Sequence, residues 1–170
     1  MKGLGRCRQL ALSYAVGAVL LAFAGLYFGG VALWLCWVAV ALAMVALFYA
    51  GPGAAGFQKH GGKHSLAVAV LLAPYIAGAW LNSRWWTRRR PQPDAILDDV
   101  WLGRLPTHGE MANRSFAALF DLTAELPAPS GNWRYAGLPW LDLVPPDAGQ
   151  LAEAARRIEA LRGHGPLLVC

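Results

Sequence analysis

The sequence predicts a membrane α-helical anchor followed by a small α/β domain. Three observations predict it. Two apolar runs without a single charge, 10–28 and 31–50, stand near the N-terminus. All ten acidic residues follow Arg90, so residues 1–90 carry +9 and residues 91–170 carry −4, for a net +5. After Arg90, short apolar runs alternate with helix-capping signals. The chain is 56% hydrophobic and only 15% charged, where a soluble domain carries about 25% charged residues.

The first two segments form the anchor. Each can cross ~30 Å of hydrocarbon at ~1.5 Å per residue. Only Gly29-Gly30 separates them, which predicts a tight antiparallel hairpin. Gly17, Gly25 and the interspersed alanines permit close helix contact. Trp34, Trp37, Tyr27 and Tyr49 suit the membrane–water boundaries. The start, MKGLGRCRQ, has the positive flank of a signal peptide, but the apolar part is too long and no A-x-A site precedes the second segment, so an uncleaved helix is expected. Residues 51–64 (GPGAAGFQKHGGKH) are expected as a solvated glycine-rich loop. His60 and His64 stand four apart, but Gly61-Gly62 between them argues against a helical metal pair.

A third segment, Ser65 to Asn82, is shorter and carries Pro74 at its centre. It ends in a tryptophan–arginine patch, NSRWWTRRR. It either spans or lies in the interface. The interfacial placement is preferred, because it keeps the basic residues around Lys2, Lys59 and Arg88 on one side, where they meet anionic headgroups. The positive charge flanks apolar runs, and no basic face occurs after residue 90, so nucleic acid is not the expected partner. No charged residue lies in the first two segments, which leaves a transport path without a ligand.

Residues 91–170 read as an α/β unit after a linker at Pro91 and Pro93. Ala95–Leu97 and Val100–Leu102 are expected strands around an Asp98-Asp99 turn. Thr107 with Glu110 predicts a capping box. Phe116–Leu122 is a buried strand and 127–132 a loop. Asp147 with Gln150 caps a helix whose face is spaced by Leu151, Ala155, Ile158 and Leu161. Gly163 and Gly165 end it, and Pro166–Cys170 starts a last strand. About eighty residues is near the lower limit for a stable core. That size, and a closing strand with nothing after it, are the marks expected of an incomplete domain. The cysteines Cys7, Cys36 and Cys170 form neither a metal spacing nor a disulfide framework, and no cofactor is expected.

Five stretches together resemble bacterial membrane-anchored dual-specificity phosphatases. VWLGRLP (100–106) is similar to their leading hydrophobic-aromatic-Leu-Gly strand, and FAALFDLTAE (116–125) to the next core strand. LPWLDLVPP (138–146) resembles the loop with the general-acid aspartate, and HGPLLVC (164–170) the strand entering the Cys-x5-Arg phosphate loop. LLAPYIAGAWLNSR (71–84) resembles a stretch of the family's anchor. No Cys-x5-Arg occurs in the 170 residues. The resemblance implies a multi-pass protein of the bacterial inner membrane with residues 91–170 in the cytoplasm, acting on a phosphorylated protein or lipid. It further implies that Asp142 is the general acid. Cys170 is either the nucleophile or the residue before it, in the family's histidine position. Without the phosphate loop these residues alone are expected to be inactive. The rival reading is a non-enzymatic membrane protein with a small interaction module, in which Asp142 is a turn residue and Cys170 a buried strand residue. Arg104 is read as solvated, and Arg156, Arg157 and Arg162 as helix-end and solvent residues.

Overall fold

The computed structural model describes residues 2–170, with side chains from Gly5 onward. Two helices, α1 (Lys2–Phe28) and α2 (Trp34–Ala50, preceded by a 3-10 turn), form the expected hairpin. Gly29 and Gly30 turn it with φ of 61° and 54°, a left-handed conformation that other residues rarely adopt. A Cβ on Gly25 would stand 2.9 Å from the Cys36 sulfur, so glycine is what lets the helices meet. The stretches Gly5–Phe28 and Gly30–Ala50, of 24 and 21 residues, are long and apolar enough to cross a membrane. Their outward side chains are apolar, as at Val19, Phe23 and Leu47.

The glycine-rich stretch 51–64 is not the solvated loop expected. A 3-10 turn (Gly53–Phe57) leads into a two-stranded hairpin, β1 (Lys59–His60) and β2 (Lys63–His64). Gly61-Gly62 supplies the turn. Lys59 pairs with His64 across it and His60 with Lys63, so alternation puts the two histidines on opposite faces. Phe57 is fully buried. The third segment is two short helices, α3 (Leu66–Leu71) and α4 (Ala73–Trp86), with Pro74 in the first turn of α4 where its missing N–H costs nothing.

The remainder is a five-stranded mixed sheet with two helices. Its strands are β3 (Asp94–Leu97), β4 (Val100–Leu102), β5 (Ala118–Thr123), β6 (Arg134–Trp140) and β7 (Leu167–Val169), in the order β3-β4-β7-β5-β6. β3 and β4 form the expected antiparallel pair; β4, β7, β5 and β6 run parallel. The last strand in sequence is thus the middle of the sheet. Helix α5 (His108–Asn113) begins at the predicted Thr107–Glu110 capping box and α6 (Ala148–Leu161) at the Asp147–Gln150 box. The face of α6 differs from the expected one. Ala154 is buried, with Ile158 and Leu161 packed beside it, whereas Leu151 and Ala155 face out. Ile158 and Leu161 keep the expected face, and Ala154 takes the place expected of Ala155.

β6 is not among the expected strands; its end, 138–140, falls in the stretch that resembles a loop. Its Ala136-Gly137 and Pro139 blur the alternation that marks a strand. Proline is tolerated because β6 is the sheet edge and the pairing to β5 slips there. α6 covers one face of the sheet over Phe120, Leu167 and Val169. On the other face Met111 and Phe116 cover Leu119 and Leu168. A third cluster joins the hairpin to the sheet. Ala11, Ala41, Val45 and Tyr49 pack with Phe57, Leu72 and Ala124, and Leu141 and Val144 lie against them. The expected division into 1–90 and 91–170 is therefore a division of sequence, not of packing.

Candidate functional site

The parallel strands β5, β6 and β7 all end at one edge of the sheet, where open α/β sheets build sites. At or just past those ends stand Asp121 to Glu125, Asp142 and Cys170. β7 and β6 flank β5, so Cys170 and Asp142 start from strands about 10 Å apart at ~4.8 Å per step. The topology thus brings the two sequence-predicted residues to the same edge.

Asp142 lies two residues beyond β6, with its residue exposed. Its backbone is pinned from both sides. Its N–H donates to Glu125 Oε1 (2.9 Å), and its carbonyl accepts from the Tyr49 hydroxyl (3.0 Å). Its own Oδ1 accepts from Leu143 N–H at 2.9 Å. Leu143 has φ of 59°, strained for a leucine. A fixed backbone beneath an outward carboxylate is what a positioned acid requires.

Glu125 and Asp121 are the two buried carboxylates among the described residues, 4% and 1% exposed. Burial pushes the Glu125 carboxyl up against the opposing hydrogen bonds from Asp142 N–H and Tyr49. The Tyr49 hydroxyl stands 3.0 Å from both Glu125 Oε1 and the Asp142 carbonyl, but has one proton to give. A protonated Glu125 donating to Tyr49 leaves that proton for the carbonyl. Tyr49 therefore does not sit at a lipid boundary as expected; it is 4% exposed and ties α2 to the Asp142 turn.

Asp121 is held by the chain's most buried ion pair. Lys59, from the hairpin after the anchor, donates to Asp121 Oδ2 (2.5 Å), to the Thr123 carbonyl (2.7 Å) and to Thr123 Oγ1 (3.0 Å). The two side chains are 2% and 0% exposed. Tyr135 and Thr123 donate their hydroxyls to the same carboxylate. Charge, hydrogen bonds and burial are all accounted for, as a stable buried pair requires.

Cys170 follows β7 on the Leu168 face, packed among Met111, Phe116, Leu119 and Leu168. Its N–H donates to the Phe120 carbonyl and its own carbonyl accepts from Leu122 N–H. Burial, with the Asp121 carboxylate adding to it, pushes the thiol well up, and Lys59 only partly offsets this. A thiol so placed stays protonated at neutral pH. We expect iodoacetamide to alkylate Cys170 at least about tenfold more slowly than an exposed cysteine, since the thiolate is the reactive form. Peptide mass spectrometry of timed samples checks this, and alkylation at the rate of an unfolded peptide would refute the packing.

Arg104 is not solvated. It donates to Glu110 Oε1 (2.5 Å) and Thr87 Oγ1 (2.9 Å), while Arg84 reaches Glu110 (3.2 Å) and the Leu105 carbonyl (2.9 Å). His108 Nδ1 donates to the Ser130 carbonyl at 2.8 Å. Arg162 pairs with Asp99 and Glu159, and Arg156 and Arg157 with Glu153.

Two carboxylates give opposite pH responses. Burial alone would raise Glu110, but the Thr107 N–H, Arg104 and Arg84 together hold it down to about 2. Its stabilisation is present above the unfolded glutamate value, about 4.3, and is lost as pH falls through about 2. Glu125 has a raised folded value. Its contribution is full below the unfolded value and is lost as pH rises through the raised one. Thermal melts across pH should therefore lose their acid-side slope in Glu110→Gln and their upper slope in Glu125→Gln. Unchanged profiles in both variants would contradict these environments.

A cleft of about 1050 Å³ lies beside this edge, between the helices and the sheet. Its walls come from α1 (Tyr14), α2 (Val38, Leu42), α4 (Gly78), the Thr87 that caps α4 and the Asp142 turn. Compared with protein-family models, curated proteins and solved structures, the chain matches none. Sequence reading missed Lys59, Asp121, Glu125 and Tyr49. The available signal was a lysine in a glycine-rich stretch and an aspartate inside the apolar run FAALFDL.

Proposed function

We propose that these residues are the anchor and acid-bearing part of a membrane-bound Cys-dependent phosphatase. The observation that carries the reading is the Asp142 turn. Its backbone is fixed by Glu125 and Tyr49 and its carboxylate faces outward, on the edge where β5 and β7 also end. In the reaction, a thiolate attacks phosphorus, the P–O ester bond breaks, and the leaving oxygen takes the Asp142 proton. Water then attacks the phosphocysteine, returns a proton to Asp142 and releases inorganic phosphate and the thiolate. The backbone N–H groups and arginine of a Cys-x5-Arg loop hold the phosphate oxygens and keep the thiol ionised. The raised thiol of Cys170 suits the register in which it precedes the nucleophile. Hydrolysis of para-nitrophenyl phosphate tests the reading. The 170 residues should be inactive, and a chain continuing through Cys-x5-Arg should be active. Activity in the former, or none in the latter, refutes it.

The hairpin is proposed to cross the inner membrane, with the third segment staying on the cytoplasmic side. Both ends of that segment bind the same α/β unit. Next to its start, Lys59 holds Asp121 and His64 lies 3.2 Å from the Glu125 carbonyl; at its end Arg84 holds Glu110. A segment that crossed ~30 Å of hydrocarbon would separate those ends. Trp80, Trp85 and Trp86 are exposed, and Arg88 stacks 3.9 Å over Trp85, which suits headgroup depth. A cysteine at Gln92 should react with impermeant maleimide only from the cytoplasmic side. Labelling from the periplasm would reverse the topology.

A further inference from the structure

We propose that the cleft between the hairpin and the sheet edge is a lipid-binding groove, which takes one acyl chain of a bilayer glycerophospholipid and holds its headgroup at the Asp142 turn. Depth decides the occupant. Val38 and Leu42 line the groove, eight and twelve residues beyond Gly30. At ~1.5 Å per residue they lie about 12 and 18 Å from the hairpin turn, inside a hydrocarbon layer ~30 Å thick. A groove that opens at that depth meets acyl chains, not water. Its volume of about 1050 Å³ stands at the top of the roughly 300–1,000 Å³ range of small-molecule sites, enough for a chain and a headgroup.

The groove also has polar lining, from Asn82, Ser83, Thr87, Thr123 and Asp142. Trp140, also on its wall, has a buried indole N–H with no acceptor among the described residues, and an ester or phosphate oxygen would supply one. Among the described residues, no lysine or arginine lines the groove; Arg104 reaches it only through Thr87, which accepts from it, and Arg104 and Arg84 share the carboxylate of Glu110. Glu125, at the groove wall, is held towards its neutral form by burial. If the phosphatase reading holds, the substrate class is a lipid phosphomonoester such as phosphatidic acid. That consequence rests on the reading, whereas the groove itself does not.

Photo-crosslinking tests the groove. The full 170-residue chain is reconstituted in phosphatidylcholine vesicles containing phosphatidic acid with a diazirine near the end of one acyl chain. After illumination, adducts are mapped by mass spectrometry. Enrichment at Val38, Leu42, Gly78 and Ala79 over the outer-face residues Val19 and Phe23 is expected. Gly78→Leu should cut the groove adducts several-fold. A Cβ at Gly78 meets nothing within 4 Å, and leucine is the better helix former, so the fold should survive. Ala79→Leu serves if melting shows otherwise. Groove adducts no more frequent than those at Val19 and Phe23, or unchanged in both variants, would overturn the proposal. Groove adducts in a protein whose Cys-x5-Arg-containing form hydrolyses neither phosphatidic acid nor para-nitrophenyl phosphate would retain the groove and overturn the phosphatase reading.

Discussion

Lys59→Met is expected to cost about 3–5 kcal/mol, the penalty for leaving a buried charge without its partner. The residue it abandons, Asp121, has a side chain 0% exposed. No water can replace the ammonium there, and the Thr123 and Tyr135 hydroxyls cannot neutralise a charge. Stabilities of such domains are about 5–15 kcal/mol, so most of the margin is at stake. At roughly 4–8 °C per kcal/mol for a domain this small, the melting temperature should drop by more than about 10 °C. Asp121→Asn should also destabilise, because an amide cannot match the four donors around it. The double variant should be less damaged than the sum of the singles, since it leaves no lone buried charge. Thermal melts of the reconstituted protein measure all three. A Lys59→Met melt within about 0.5 kcal/mol of the parent, the range of ordinary surface substitutions, would mean the pair is not buried. The same argument predicts that residues 91–170 expressed alone do not fold, because they lose both Lys59 and the hairpin side of the shared cluster.

The second large effect falls on rate. In a chain that carries Cys-x5-Arg after β7, Asp142→Asn should lower kcat by about 10²–10⁴, the usual worth of general acid catalysis. The loss should depend on the leaving group. An alkyl phosphomonoester needs a proton on its departing oxygen, so it should suffer most. Para-nitrophenolate departs without help and should suffer least. Equal losses on both substrates would make Asp142 a structural turn residue. Tyr49→Phe separates position from chemistry. It removes the hydroxyl that holds the Asp142 carbonyl at 3.0 Å and leaves the acid in place. A smaller drop in kcat, with the leaving-group trend preserved, is the expected result.

Local signals explain what was readable. The hairpin follows from two uncharged runs of spanning length joined by two glycines, and the structure has it. Both capping boxes formed as read, because Thr107–Glu110 and Asp147–Gln150 each close within one turn. The β3–β4 turn and the closing strand are likewise short-range. β6 was missed because Ala136, Gly137 and Pro139 hide its period. On α6, Ile158 and Leu161 face in as expected, but small alanines stand on both sides and only packing against Phe120 and Val169 picks Ala154 over Ala155. Asp142 was singled out through the family resemblance alone; nothing local sets it apart from any aspartate before Pro145-Pro146.

What the sequence determined by itself is the pair of apolar helices, the helix starts and the α/β character of residues 91–170, all encoded within a few turns of chain. What only the tertiary structure decided is how the two parts meet. Lys59 and Asp121 are 62 residues apart, and Tyr49 and Glu125 are 76 apart. No periodicity links positions at such distances. Burial selects them, because a carboxylate removed from water must find a cation, a hydrogen-bond donor or a proton within reach. The anchor supplies the first two of these, which makes it part of the site rather than a tether to it.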